Sequence, residues 1–265
     1  MNKKILIIIP GKLEFYKEEN YNLIKEFFRN FDVNFFIIGW ENQDEKIIEN
    51  FKKIYYPLNI EFMPEYSFVN VMDKIKYPDH AGNALGTLHM WKSIVLSFEK
   101  VNKFFFDKSD KPDYILRYRS DILPKKNQIF ADRDPLVANE ILIPDRYHWN
   151  GLNDNMFLIR YNDLNLFKNF DNFLEKHIKE DKFFCSEYIF QQFLKKNKFK
   201  IKYSDFDYNI MRFKNHKKFS KNEKSKKPLA DWYNCKLNRL KFKIRNFDKF
   251  FIKKSNRNNK QHINI

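Results

Sequence analysis

Asp113-Tyr-Ile-Leu-Arg-Tyr-Arg-Ser-Asp-Ile-Leu-Pro124 begins as a strand and ends in a turn. Tyr114, Ile115, Leu116 and Tyr118 are strand formers, and Pro124 stops the run. Side chains alternate between the faces of a strand. Ile115, Arg117, Arg119 and Asp121 are therefore expected on one face, with Leu116, Tyr118 and Ser120 on the other. Two guanidinium groups and a carboxylate stand where an apolar strand runs out. In open α/β sheets, ligands bind outside the carboxyl ends of the strands. A carboxylate there can hold a divalent metal, and arginines can hold phosphate. The competing reading is a surface strand end closed by a local ion pair.

The residues upstream set the fold class. Lys4–Ile9 is a nearly continuous apolar run, as a strand buried on both faces requires, and Pro10-Gly11 breaks it. Tyr21, Ile24, Phe27 and Phe28 recur at helical spacing. Val33–Ile38 reads as a second buried strand, Glu45–Tyr55 as a helix and Leu58–Met63 as a third strand. A long helix is expected from Asn83 to Val101, with Leu85, Leu88, Trp91, Ile94, Val95 and Phe98 inward. Strands alternating with helices at short spacing predict βαβ units and an α/β fold with a mostly parallel sheet.

Downstream, Ile141–Pro144 and Met156–Ile159 are short strands and Phe199–Tyr203 is the last one. Asn162 is expected to cap one helix and Ser186 another. The polar loop Asn150-Gly-Leu-Asn-Asp-Asn155 enters the Met156 strand with one carboxylate, Asp154. Asp154 can act as a general base or bond a sugar hydroxyl; an Asx-turn is the structural alternative. Glu187, in the first turn of its helix, is either a second such carboxylate or a dipole partner. The loop His80-Ala-Gly82-Asn83 opens the long helix, where backbone N–H groups can meet a phosphate or sugar oxygen.

Composition excludes several classes. The chain has 5 Gly in 265 residues and neither GxGxxG nor GxxxxGK[ST]. It has no GxSxG or HExxH, and Cys185 and Cys235 form no metal-binding pair. No apolar run reaches the roughly 18–20 residues of a membrane span. The net charge of +16 is uneven. From residue 212 onward, 18 Lys and Arg stand against 3 acidic residues, leaving a nearly neutral body. The chain thus divides into a body of residues 1–212, a lysine-rich linker of 213–227 and a basic tail of 228–265. In the tail, Tyr233, Leu237, Leu240, Ile244, Phe247 and Phe251 follow four- and three-residue steps. A basic amphipathic helix of this kind suits an anionic membrane surface. The expected location is the cytoplasmic side, peripheral to the inner face of the cell membrane. A neutral body argues against nucleic acid as the partner. A nucleic-acid-binding or interaction protein, or a transferase of a non-sugar group, is the alternative.

Taken in order, these pieces resemble bacterial GT-A-type glycosyltransferases of surface-polysaccharide synthesis, including the WavE-like lipopolysaccharide group. The matching segments are His80, Gly82 and Asn83 before a helix with Trp91, Leu116–Ile122, Trp149–Phe157, Ser186-Glu187, and Ile210-Met-Arg212. The resemblance spans about residues 4–212. It implies a GT-A-like Rossmann-type sheet and a nucleotide-sugar donor at the strand ends, held by Pro10, His80, Gly82, Asn83, Arg117, Arg119, Asp121 and Arg212. The implied acceptor is a lipid-linked lipooligosaccharide or capsule precursor. Asp121 falls at the last position of the family's Asp-x-Asp metal motif, and Arg119 stands at the first. Either Arg119 replaces part of the metal's charge, or Asp121 holds Mg²⁺ or Mn²⁺ with the donor phosphates. Asp154 is the expected base, with Glu187 next.

Overall fold

The computed structural model describes residues 2–13, 17–78, 83–132, 135–145 and 151–211, apart from the side chains of Val69 and Asn83. The boundary at 212, the linker and the tail fall outside the described residues. The first half builds β1 (Lys4–Pro10), α1 (Glu18–Phe27), β2 (Asp32–Trp40), α2 (Glu45–Tyr55), β3 (Asn59–Met63) and α4 (Asn83–Phe104) as expected, with an unexpected single turn α3 (Val69–Met72) before α4. The second half holds β4 (Tyr114–Tyr118), β5 (Ile122–Pro124), β6 (Glu140–Pro144), β7 (Met156–Arg160), α5 (Phe170–Lys179), α6 (Ser186–Lys196), β8 (Lys200–Ser204) and β9 (Tyr208–Ile210).

Seven strands form one α/β sheet in the order β3-β2-β1-β4-β7-β6-β8. The pairs β1·β2, β2·β3, β1·β4 and β6·β8 are parallel. β7 runs antiparallel to both β4 and β6, so it alone is reversed. The sheet is therefore mixed but mostly parallel. β5 and β9 pair antiparallel in a separate two-stranded ribbon, which ties the end of the described chain to the turn after β4.

The pleat sorts the core into two layers. Leu6, Ile8, Phe36, Ile38 and Ile115 face the layer containing Trp91, Phe98, Phe170 and Phe190, from α4, α5 and α6. Ile5, Ile7, Ile9, Phe35, Leu116 and Tyr118 face Ile24, Phe27, Phe51 and Tyr55, from α1 and α2. Each fully buried Phe or Ile contributes roughly 1.5–3 kcal/mol. That is why the alternation within these strands survives while short polar segments bend to suit it.

Leu85, in the first turn of α4, does not face inward as expected but is 42% exposed. Two expected caps are also corrected. Asn162 does not cap a helix. The chain enters a 3₁₀ helix, Tyr161–Asn169, directly from β7, and α5 follows with no side-chain cap at Asn169. Ser186 is the first residue of α6, not its cap. Cys185, extended at φ −137° and ψ 137°, holds the cap position, and the Ser186 hydroxyl is drawn elsewhere. Among the described residues, no helix is long and apolar enough to cross a membrane.

Candidate functional site

The sheet order reverses direction between β1 and β4, because β2 and β3 grow to one side and β4 to the other. A crevice outside the strand ends is the expected ligand position at such a point. β1 closes there with buried Pro10 and then Gly11, whose φ of +92° is a glycine conformation. A Cβ at Gly11 would stand 3.4 Å from Ser93 Oγ of α4, so the loop lies directly against that helix. The Ser120 hydroxyl donates to the Lys12 carbonyl at 2.9 Å and joins the turn after β4 to the loop after β1.

β4 ends at Tyr118, and the strand alternation stops with it. Arg117 points into the α4–α6 layer and is only 2% exposed. Its Nη1 donates to the carbonyl oxygens of Asp154 at 2.6 Å and of Asn155. Its Nε is buried with no hydrogen-bond partner among the described residues. Burial, aided by the like charge of Arg119, pulls the Arg117 pKa down to about 10, so it stays charged at neutral pH. The backbone carbonyls satisfy that charge without a carboxylate ion pair.

Arg119 and Asp121 lie beyond the strand, in the turn. Nε and Nη2 of Arg119 grip both carboxylate oxygens of Asp121, with the Nε bond at 2.8 Å. Arg119 Nη1 also donates to Asn155 Oδ1. Burial weakens the Arg119 charge, and Asp121 more than offsets this, so the net shift is upward. The side chains are 32% and 12% exposed, which puts this bidentate pair at the rim of the crevice. The local ion pair of the competing reading therefore exists, at the strand end where a ligand was expected.

The 151–155 loop is a rigid bracket. The Asn155 N–H bonds to Asn153 Oδ1 at 2.9 Å, the Asx-turn geometry. Asn153 Nδ2 donates to the Tyr208 hydroxyl at 2.8 Å, and Asn155 Nδ2 reaches the same oxygen at 3.3 Å. Burial, partly relieved by these two amides, pushes the Tyr208 pKa up to about 12. A Cβ on Gly151 would lie 2.1 Å from the Glu187 carbonyl, so only glycine lets the loop meet α6. The Leu152 N–H bonds to that carbonyl at 3.1 Å.

Asp154 is 4% exposed, and its Oδ2 accepts from the Ser186 hydroxyl. The Ser186 oxygen in turn accepts from Trp91 Nε1 at 3.0 Å. Trp91 is itself core, with its ring stacked on Phe170 at 4.4 Å between centroids. Glu187, at the first turn of α6, is half-buried and accepts from the Cys185 thiol at 2.8 Å.

The structure thus gathers Pro10, Arg117, Arg119, Asp121, Asp154 and Glu187 around one set of strand and loop ends. His80, Gly82, Arg212 and the Asn83 side chain lie outside the described residues. Asn153, Asn155 and Tyr208 were missed as site residues. The Asx signal at Asn153 was visible, but nothing near Tyr208 marked it.

The metal expectation rested on Asp121. Both its oxygens are held by a guanidinium, and no group of three or more His, Cys, Asp or Glu among the described residues can hold a metal ion. With Arg119 on both oxygens, Asp121 has a metal-binding role only if donor phosphates draw that guanidinium away and complete the donor set.

No family model and no curated protein matches this chain. Remote likeness to solved structures exists. The apo form of mouse xyloside xylosyltransferase 1 aligns at 10% identity and a TM-score of 0.43, over 77% of this chain and 85% of that one. Two structures of the glycosyltransferase GlyE of Streptococcus pneumoniae TIGR4 align at 10% and 11% identity, with TM-scores of 0.39 and 0.41. Each covers 76% of this chain and 45% of GlyE, so this chain spans less than half of GlyE.

Proposed function

We propose that the chain is a glycosyltransferase that moves a sugar from a nucleotide-sugar donor to a lipid-linked lipooligosaccharide or capsule precursor. One observation carries the reading: a partly exposed guanidinium fork, held ready by Asp121 and Asn155, stands at the carboxyl end of β4 where the sheet reverses. The motif order of the sequence, which resembles GT-A-type enzymes, supports it.

The chemistry follows from the fork. Arg119 exchanges the Asp121 carboxylate for the donor's diphosphate oxygens, which present the same paired-acceptor geometry. Its charge then stabilises the nucleoside diphosphate as the anomeric C–O bond breaks. Buried Arg117 fixes the 154–155 backbone that holds Asn155 against Arg119. Released Asp121 is free to accept from a donor hydroxyl. Of the two carboxylates, Glu187 has the exposure needed to take a proton from the acceptor hydroxyl. Asp154, committed to Ser186, orients the loop.

The basic tail would dock on anionic lipid and bring the crevice to acceptors on the inner face of the membrane. Deleting residues 228–265 should abolish binding to anionic liposomes and leave the body folded; undiminished binding would remove the tail from the account. For the donor site, UDP-, GDP- and CMP-sugars should be screened by thermal shift with and without Mn²⁺. At least one should raise the melting temperature. No rise with any of them would defeat the reading.

A further inference from the structure

A cleft of about 400 Å³ opens at the opposite end of β4. That volume falls within the range of small-molecule sites, roughly 300–1,000 Å³. It exists because β7 is reversed: its last residue, Arg160, pairs with the first residue of β4, Tyr114. A basic strand end is thereby set beside Lys3, which precedes β1, and Lys111, which precedes β4. Pro112, Leu136 and Val137 supply apolar wall.

The charges are unbalanced. Lys3, Lys111 and Arg160 face a single lining carboxylate, Asp113. Asp113 is already shared, since it accepts from the Lys4 N–H at 2.8 Å and from Lys3 Nζ at 3.3 Å. Among the described residues, Lys111 Nζ reaches only the Phe106 carbonyl, at 3.3 Å. The Arg160 guanidinium has no hydrogen bond or ion pair among the described residues and feels Asp163 only at longer range. A planar cation left without an acceptor beside apolar wall suits an oxyanion on a hydrophobic body.

We infer that this cleft binds a small organic anion, a phosphate or carboxylate carried on an apolar or aromatic group, with Arg160 and Lys111 taking the charge. The site is separate from the crevice at the other end of β4, roughly 13 Å away along the strand. It does not depend on the activity proposed above.

Isothermal titration of the full chain with phenyl phosphate and with benzoate tests it, with inorganic phosphate as the control for the apolar contribution. Saturable binding of one of the two aromatic anions is expected, tighter than that of inorganic phosphate. Arg160→Gln and Lys111→Gln should each weaken it about tenfold, and Arg119→Ala should leave it unchanged. Preference for phenyl phosphate assigns a phosphate ligand, and preference for benzoate a carboxylate. Lys111 is exposed in a loop, so its variant carries the test even if Arg160→Gln melts early. Absence of saturation with both anions, or binding that both Gln variants leave intact, would overturn the inference.

Discussion

Two arginines stand two residues apart after the same apolar run, and they do opposite things. Arg117 is sealed beneath the 151–155 loop, where backbone carbonyls of Asp154 and Asn155 accept hydrogen bonds from its Nη1. Arg119 lies at the rim, in a two-point grip on Asp121 that solvent can reach. Strand geometry makes the difference. β4 ends at Tyr118, so Arg117 is the last residue that the pleat aims into the core layer, and Arg119 belongs to the turn. A buried charge whose acceptors are fixed backbone is structural. A rim charge whose acceptor is a side chain can exchange it for a ligand.

The largest effect should come from breaking the buried member. Arg117→Ala leaves two carbonyls without their donor and opens a cavity. The loss should be about 4 kcal/mol, read as a fall of roughly 10 °C in melting temperature. A shift below a few degrees would mean that the loop holds without it.

A second buried base, His177, sharpens the contrast. It is 1% exposed, and Nε2 lies 3.0 Å from the Phe183 carbonyl. Burial pulls its pKa down to about 4, so unlike Arg117 it is kept neutral. The unfolded chain protonates near pH 6.5 and the folded one near pH 4, so the unfolded state binds more protons between them. Stability should therefore be full above pH 6.5, fall as pH drops from there to 4, and level off below. The loss is about 3 kcal/mol. Urea titrations of the parent and His177→Phe across this range check it: the variant should lose that component of the slope.

The smallest stability effect belongs to the rim. Arg119→Ala should cost about 1 kcal/mol, because the pair is partly exposed. Thermal melts that show a loss as large as that of Arg117→Ala would erase the distinction between the two arginines.

The βαβ half was legible because Ile5–Ile9 is apolar throughout and Val33–Ile38 is interrupted only by Asn34, as strands covered on both faces require. The reversal of β7 was not. Met156–Arg160 has the same composition whichever way it runs, and pairing direction is set by the connections around it. The charged cluster was legible as residues but not as roles. Alternation placed Arg117 and Arg119 on one face, and nothing in the sequence marks Tyr118 as the last strand residue. Ser186 looked like a cap because the residue type suits one. Its hydroxyl went to Asp154 because the 151–155 loop packs on the first turn of α6. Tyr208 is separated from Asn153 by 55 residues and carries no local signal.

The central claim is that Arg119 trades Asp121 for a donor diphosphate. Its most direct test is calorimetric titration of the parent and Arg119→Ala with whichever nucleotide sugar stabilises the parent. A folded variant whose affinity falls at least about tenfold is expected, in line with the loss of a charge-assisted bidentate contact. Equal affinity in the two proteins would contradict it.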